Sequence, residues 1–485
     1  MQAFDAHGMD AAVTGPLDTK LSGVTPDSRA VEAGTLFAAL KGVKNDGADF
    51  VPAAVTAGAS GVLVGRDSSL TASADISVIR VDEPRRALAI AAVLFHPGQP
   101  EVAVAVTGTS GKTSVVDFTR QIFASGGLAA ASVGTVGIIK PGAARYGSLT
   151  TPDPVSLHRT LAGLAGEGVT HLAFEASSHG LDQFRLDGVR LTAAAFTNLG
   201  RDHLDYHPSV AAYMAAKMRL FDTLLQPGQP AVINMDGAEA EHVIGVCNAR
   251  GLRVCRVGRG GDVVRLLDVK SDGFRQVLKL EVDGSAHTLL LPLVGGYQVE
   301  NALVAAGLAH AVGLSTAQII EGLTQLKGVP GRLDVVGEVR GGLAVIDYAH
   351  KPEALSAALD AVRPFVTGQL ICVFGCGGDR DRGKRPLMGQ IASDKSDVVV
   401  VTDDNPRTEV PKAIRAEILA DCEGAIEIGD RRAAIRAGVQ MLGVGDVLLV
   451  AGKGHETGQI VGDQVLPFSD HEEVAAALED HRAVY

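Results

Sequence analysis

Seven residues read Thr107-Gly-Thr-Ser-Gly-Lys-Thr113, a glycine-rich turn closed by a lysine and a hydroxyl. They follow the apolar run Val102–Val106 and precede a helical pattern from Thr113 to Ala124. Strand, glycine loop and helix together make a phosphate cradle, because backbone N–H groups and the helix N-terminus then face an anion. In such a cradle Thr107, Gly108, Thr109, Ser110, Gly111 and Ser114 wrap the phosphates, Lys112 neutralises the β/γ charge and Thr113 ligates Mg²⁺. Val106 stands where the strict G-x-x-x-x-G-K-[ST] pattern needs its first glycine, so this is the shorter T-G-T-x-G-K-T form. The competing reading is an ordinary strand–helix turn with a surface lysine. Gly108, Gly111, Lys112 and Thr113 together argue against it.

Other clusters are less specific. Glu175 ends the apolar run Leu172–Phe174, and an acid at the carboxyl end of a parallel strand suits Mg²⁺. Ser177, Ser178 and His179 follow it. In Arg201-Asp-His-Leu-Asp-Tyr-His207 the two histidines are four apart. The glutamate of a zinc-protease helix is missing, and Pro208 disfavours a continuous helix there. A single histidine at a magnesium site fits better. Lys217, on an expected helix, reads by itself as a solvated lysine. Gly375-Cys-Gly-Gly-Asp-Arg-Asp-Arg-Gly-Lys-Arg385 is basic enough to clamp a carboxylate or phosphate. Cys372 and Cys376 lack a second Cys/His pair and read as buried or turn cysteines. Asp403-Asp-Asn-Pro-Arg-Thr-Glu409 has acids for an ammonium and Arg407 for a carboxylate; the alternative is a capping loop before Pro411.

The elements that must position these residues fall into three stretches. Residues 1–98 mix short strands with Ala-rich helices and end at the breaker His96-Pro-Gly-Gln-Pro100. Residues 99–330 alternate strands (Val102–Val106, His171–Phe174, Ala193–Thr197, Ala231–Asn234) with helices such as Ser209–Leu225. An antiparallel excursion is expected over 252–294, with a turn at Asp283-Gly284, and Gly328-Val-Pro-Gly331 closes the stretch. Residues 331–485 alternate strand and helix through Ala451 in a doubly wound pattern. The predicted fold is α/β in three domains: an N-terminal α/β domain, a central P-loop domain with a mostly parallel sheet, and a C-terminal Rossmann-like sheet.

Composition narrows the class. A chain of 485 residues suits about three domains. A net charge of −12 disfavours diffuse nucleic-acid binding. Five cysteines, odd and sparse, make no disulfide framework and fit a reducing compartment. Met1 to Gly15 lacks a basic leader region, and no apolar run approaches the roughly 18 residues that span a bilayer. A cytoplasmic protein without an integral membrane segment is expected.

The ordered set resembles the Mur ligases, within them the UDP-N-acetylmuramoyl-tripeptide synthetase group, over essentially the whole chain. The likeness rests on Asp27-Ser28-Arg29, Gly34-Thr-Leu-Phe37, Lys41-Gly42, Asp46-Gly47, the Thr107–Thr113 loop, Thr150-Thr151-Pro152-Asp153, Glu175–Leu181, Asn198, Asp202–His207 and Lys217. It continues through Asn301, Gly331-Arg332, Asp347-Tyr-Ala-His350, Asp404-Asn-Pro-Arg407 and Gly452-Lys-Gly-His-Glu456. The chain departs from the group at Lys351, Glu353, Leu333-Asp334 and Glu300, none of them a group expected to do chemistry.

The resemblance implies an ATP-dependent amide ligase of peptidoglycan precursor synthesis. It would add a diamino acid to UDP-N-acetylmuramoyl-L-alanyl-D-glutamate through an acyl phosphate, with ATP and Mg²⁺. Ser28, Thr150, Thr151, Ser177, Gln183 and Arg185 would hold the muramyl nucleotide. Lys112, Glu175, His203 and Lys217 would be catalytic. Lys217, carbamylated to N6-carboxylysine, would help hold a second Mg²⁺ with Glu175 and His203, beside the ion on Thr113. Asn301 and Arg332 would contact ATP. Arg380, Asp404, Asn405, Pro406, Arg407, Gly452 and Glu456 would hold the amino acid. The Asp404–Arg407 loop favours meso-diaminopimelate over L-lysine or L-ornithine, which lack the second carboxylate. The three ligands would each take one domain of a monomer, closed together for reaction. A rival of another class is a non-catalytic nucleotide-binding interaction protein, against which the intact Lys112, Glu175, His203 and Lys217 argue.

Overall fold

A computed structural model describes residues 2–42, 45–71, 76–145, 150–200, 202–203 and 205–483; Arg201 and Leu204 of the histidine motif lie outside them. The chain divides into two compact units, Met1–Val257 with Gly307–Ser315, and Gly258–Ala306 with Thr316–Tyr485.

The first unit holds a five-stranded sheet in the order Ala11–Thr14, Ser77–Val81, Gly61–Gly65, Thr35–Ala38 and Gly23–Thr25, parallel except for its first strand. It also holds the sheet that positions the phosphate loop. There Arg253–Gly258, Pro230–Asn234, Ala193–Phe196, Val102–Thr107, His171–Glu175 and Ala130–Gly134 run parallel, and Gly137–Lys140 and Ala143–Arg145 turn back antiparallel. Helices cover both faces, so these strands are apolar throughout rather than alternating. Ala103, Ala105, Leu172 and Phe174 pack into one core, and Val104, Val106 and Ala173 are buried too. Each such Val, Leu or Phe contributes about 1.5–3 kcal/mol relative to exposure. The register sets Phe196 beside Thr107 and Glu175 beside Val106. Three adjacent strands therefore end together, where an open α/β sheet binds ligands.

The second unit contains an antiparallel excursion, Val264–Asp272, Arg275–Val282 and Ser285–Leu291, turning at Asp283 and Gly284, both at positive φ; it is narrower than the expected 252–294, because Arg253–Gly258 pairs parallel with Pro230–Asn234. Its main sheet runs Asp334–Val339, Gly342–Asp347, Val447–Ala451, Leu370–Phe374, Val398–Val401 and Ile426–Glu427, parallel after the first pair. Leu370, Cys372 and Phe374 pack toward the helices Pro352–Val362, Lys384–Lys395 and Pro411–Leu419. Ile371 and Val373 pack toward Arg431–Met441 and Asp470–Ala483. This two-faced burial is the doubly wound arrangement the sequence predicts. The helix expected over Ser209–Leu225 is α-helical over Val210–Arg219 and π-helical over Leu220–Leu224. All five cysteines are buried.

Candidate active site

The loop after Val102–Thr107 folds tightly because its glycines permit it. Gly108 and Gly111 adopt φ of 145° and 85°, and a Cβ on Gly108 would collide with Thr197 Oγ1. The neighbouring strand end clamps the loop: Thr109 N donates to Asn198 O (2.9 Å), Ser110 N to Asn198 Oδ1 (3.0 Å) and Thr197 Oγ1 to Ser110 O (2.7 Å). Lys112, Thr113 and Ser114 open the helix Lys112–Ser125, so its free N–H groups face the loop. Lys112 Nζ reaches back to Gly108 O and Thr109 O, both at 2.8 Å.

Lys217 corrects the expectation of a solvated lysine. Only 1% of it is exposed. Its Nζ donates to Gly108 O (2.7 Å) and lies 4.2 Å from the Tyr213 ring centroid. Burial, then the charge of Lys112, holds its pKa down to about 6, against the pull of Asp202. Near neutrality it is mostly a free amine. Tyr213 sits one helical turn before Lys217, a spacing from which the stacking could have been read.

Glu175 is also buried, its carboxylate accepting from Thr135 N (2.6 Å) and Thr135 Oγ1 (3.2 Å). His203 adopts a left-handed φ of 54° and takes part in an aromatic cluster with His179 and Tyr213, their ring centroids 5.0 and 6.0 Å away. Burial, and then the neighbouring His203 and His207, keep the His179 pKa low.

The residues expected at the muramyl nucleotide mostly form one chain of hydrogen bonds. Thr150 Oγ1 meets Thr135 Oγ1 (3.0 Å); Thr151 Oγ1 donates to Glu175 O (2.8 Å) and accepts from Ser177 N (3.0 Å). Arg185 donates to Thr151 O (2.7 Å) and Gln183 Oε1 (2.8 Å). Ser28, on the short turn Ser28–Ala30, has no hydrogen bond to this cluster among the described residues.

Thr113, Glu175 and His203 offer a hydroxyl, a carboxylate and an imidazole. The single buried carboxylate of Glu175 is a donor of the kind Mg²⁺ takes, since that ion uses one or two protein carboxylates and completes its shell with phosphate oxygens and water.

In the second unit Asn301 Nδ2 donates to Gln298 Oε1 (2.9 Å), and Gln298 Nε2 donates to Arg332 O (2.8 Å). The two expected nucleotide contacts are thus joined through Gln298, which the sequence reading missed. The Arg332 guanidinium lies 4.9 Å from the Tyr348 ring centroid.

Most of the residues expected at the amino acid also converge. Asp404, Asn405 and Pro406 are buried after the strand Val398–Val401. Asn405 Nδ2 donates to Glu456 Oε2 (3.0 Å). Arg407, at φ 51°, donates through Nη1 to Gly378 O (2.9 Å), while its backbone pairs with Ile460 and Gly462. Gly452 takes φ 120° at the end of Val447–Ala451. Arg380 is exposed, donating to Asp379 O (3.2 Å).

The basic run that ends at Arg385 is only partly available for a ligand. Arg385 is fully buried and held by Glu409 (2.8 and 3.0 Å), Glu417 (2.8 Å) and Gly377 O (3.2 Å). Arg382 also pairs with Glu417. The Glu417 pairs tie the 375–385 loop to the helix Pro411–Leu419, and the Glu409 pair ties it to Asp403–Glu409, as do Asp379 N to Glu409 Oε1 (2.6 Å) and Thr408 N to Asp379 Oδ2 (3.1 Å). Lys453 and Arg431, likewise missed, are buried beside the pocket.

Family models match three segments: the Mur ligase family catalytic domain over residues 20–96, the Mur ligase middle domain over 106–309, and the Mur ligase glutamate ligase domain over 331–454. The chain is 58% identical over 95% of its length, and 94% of the relative, to UDP-N-acetylmuramoyl-L-alanyl-D-glutamate--2,6-diaminopimelate ligase of Brucella melitensis. It is 56% identical, over 99% of both chains, to the enzyme of the same name from Bradyrhizobium diazoefficiens. A solved structure bearing that name superposes with a TM-score of 0.71 at 34% identity, covering 95% of each chain.

Proposed function

The chain belongs to the Mur ligase family, and on that premise we propose that it uses ATP to join 2,6-diaminopimelate to UDP-N-acetylmuramoyl-L-alanyl-D-glutamate. The observation that carries the reading is the Gly108 carbonyl, which receives both Lys112 and the buried Lys217 beside the strand end bearing Glu175.

A carboxylate is a poor acyl donor, because oxide would have to leave. Attack of the substrate carboxylate on the γ-phosphoryl of ATP gives an acyl phosphate and ADP. The amine of the diamino acid then adds, and phosphate departs from the tetrahedral intermediate. Lys112 lies where the β and γ phosphates would sit, and the helix N-terminus orients them. Thr150, Thr151, Ser177, Gln183 and Arg185 hold the carboxylate donor next to Glu175. Thr113 would hold one Mg²⁺, and Glu175 and His203 with carbamylated Lys217 a second; the two ions would offset the charge of bringing carboxylate and triphosphate together. Lys217 as a free amine is the form that reacts with CO₂, and carbamylation would turn that neutral amine into a metal-binding anion.

Asn301 and Arg332 would meet the nucleotide. Arg380, Asp404, Asn405, Pro406, Arg407, Gly452 and Glu456 would take the diamino acid, with Arg407 gripping the carboxylate that lysine and ornithine lack. Domains over 1–98, 99–330 and 331–485 would each hold one ligand in a cytoplasmic monomer. Ser28 would contribute from the first. Among the described residues no helix is long and apolar enough to cross a membrane.

The test is phosphate release from ATP by the purified protein with diaminopimelate, lysine or ornithine. Release should require both the muramyl dipeptide nucleotide and diaminopimelate. Hydrolysis that needs neither acceptor would overturn the ligase reading.

A further inference from the structure

The amino-acid pocket leaves one buried charge without a role. Lys453 is fully buried, and its Nζ donates to Asn405 Oδ1 (2.9 Å), Gly458 O (2.8 Å) and Glu456 Oε2 (3.4 Å), with Asp404 Oδ1 3.5 Å away. Ile460 N donates to the same Asn405 Oδ1 (2.9 Å). An amide oxygen has two lone pairs, and both are now used. Asn405 Nδ2 gives one hydrogen to Glu456 and keeps a second. A side-chain amide ordinarily turns over easily, because its oxygen and nitrogen are nearly the same size. Here the turn would set an NH₂ group against an ammonium and a backbone N–H, three donors with no acceptor among them. Asn405 can therefore meet a ligand only as a donor.

We propose that Lys453 is the positioning residue for amino-acid selectivity. It locks the Asn405 amide so that the remaining N–H meets the second carboxylate of diaminopimelate. This rests on the amino-acid site proposed above. Arg407, whose Nη1 also reaches Asn405 O (3.4 Å), supplies the charge for the same carboxylate, and Asn405 supplies direction. A diamino acid with only hydrogen at that position leaves a buried donor unpaired, and sites built to hydrogen-bond a substrate reject analogues lacking the partner strongly. Lys453 also keeps the hairpin Gly458–Val461/Gln464–Pro467 against the loop, since Gly458 O and Ile460 N are both in the same knot.

The test uses the full-length enzyme with all three substrates varied. Lys453→Met should raise the KM for diaminopimelate by about tenfold or more and lower the diaminopimelate-to-lysine ratio of kcat/KM by a similar factor, with the other two KM values within about twofold. Equal rises in all three KM values with an unchanged ratio would overturn the proposal. Asn405→Asp guards against a folding failure of the first variant. It keeps an oxygen for Lys453 and Ile460 but replaces the donor with an acceptor, so it should lose the preference for diaminopimelate; an unchanged ratio overturns the proposal. In an Asn405→Ala background, Lys453→Met should add little further loss of selectivity, and additive losses would also refute it. A wild-type enzyme indifferent between diaminopimelate and lysine would instead strike at the assignment of the pocket.

Discussion

Two lysines share one carbonyl oxygen at the phosphate loop, and their environments divide their work. Lys112 opens a helix at the edge of the loop, where it can meet phosphate. Lys112→Ala should cut turnover by at least about 100-fold, the usual loss when one charge-stabilising donor is removed, and near-normal turnover would refute the phosphate-loop assignment. Lys217 lies beneath, against Tyr213, with its pKa held down to about 6. Lys217→Ala should lose activity on a similar scale of about 100-fold and regain part of it when a short carboxylate such as formate is added. Full activity without any carboxylate would remove the carbamate from the mechanism. The phosphate loop was legible because glycine, lysine and hydroxyl are contiguous between a strand and a helix. The burial of Lys217 was not, because it depends on a loop 109 residues earlier. Arg385 was misread as available to ligands for the same reason: its partners Glu409 and Glu417 stand 24 and 32 residues away.

At the scale of elements, the central strands were legible from apolar runs, since burial on both faces leaves no polar positions to confuse the pattern. The pieces added after Ala451 were less so. The hairpin Gly458–Pro467 is largely exposed, and the helix Asp470–Ala483 carries acids through its first turn. That helix is held by one buried pair. Arg431 donates to both oxygens of Asp470 at 2.7 Å, and neither side chain is exposed. Arg431 Nη2 also donates to Ala451 O (3.0 Å), tying the pair to the end of the strand that leads into Gly452. Asp470→Asn should therefore cost about 3–5 kcal/mol, because it leaves a guanidinium buried without its counter-charge. Urea unfolding followed by circular dichroism measures this. A loss below about 1 kcal/mol would mean that water reaches the pair once it is broken.

For the molecule as a whole, the net charge of −12 says little about ligands that are themselves anions or zwitterions. What counts is where a few basic groups sit: Lys112, Arg185, Arg332 and Arg407 all lie in loops or at element ends. The response to acid is equally local. Burial lowers the pKa of His158 in the first unit and His455 in the second to about 4, from 6.5. Between those values the unfolded chain binds protons that the native chain does not, so stability falls as pH drops from about 6.5 to about 4. The thermal midpoint should decline across that window. His158→Gln should flatten part of the decline, and an identical slope would mean that other groups carry it.

The five buried thiols offer a clock on the same molecule. Burial pushes Cys247, Cys372 and Cys376 up to about 12, so hardly any thiolate exists at neutral pH, and a labelling reagent must wait for the chain to open. Cys247 and Cys255 report on the first unit; Cys372, Cys376 and Cys422 report on the second. Mass spectrometry of alkylated peptides then times the opening of each unit separately in unmodified enzyme. A muramyl nucleotide should slow the first pair and diaminopimelate the second group, so the residues that take no part in the chemistry would report which ligand each unit holds.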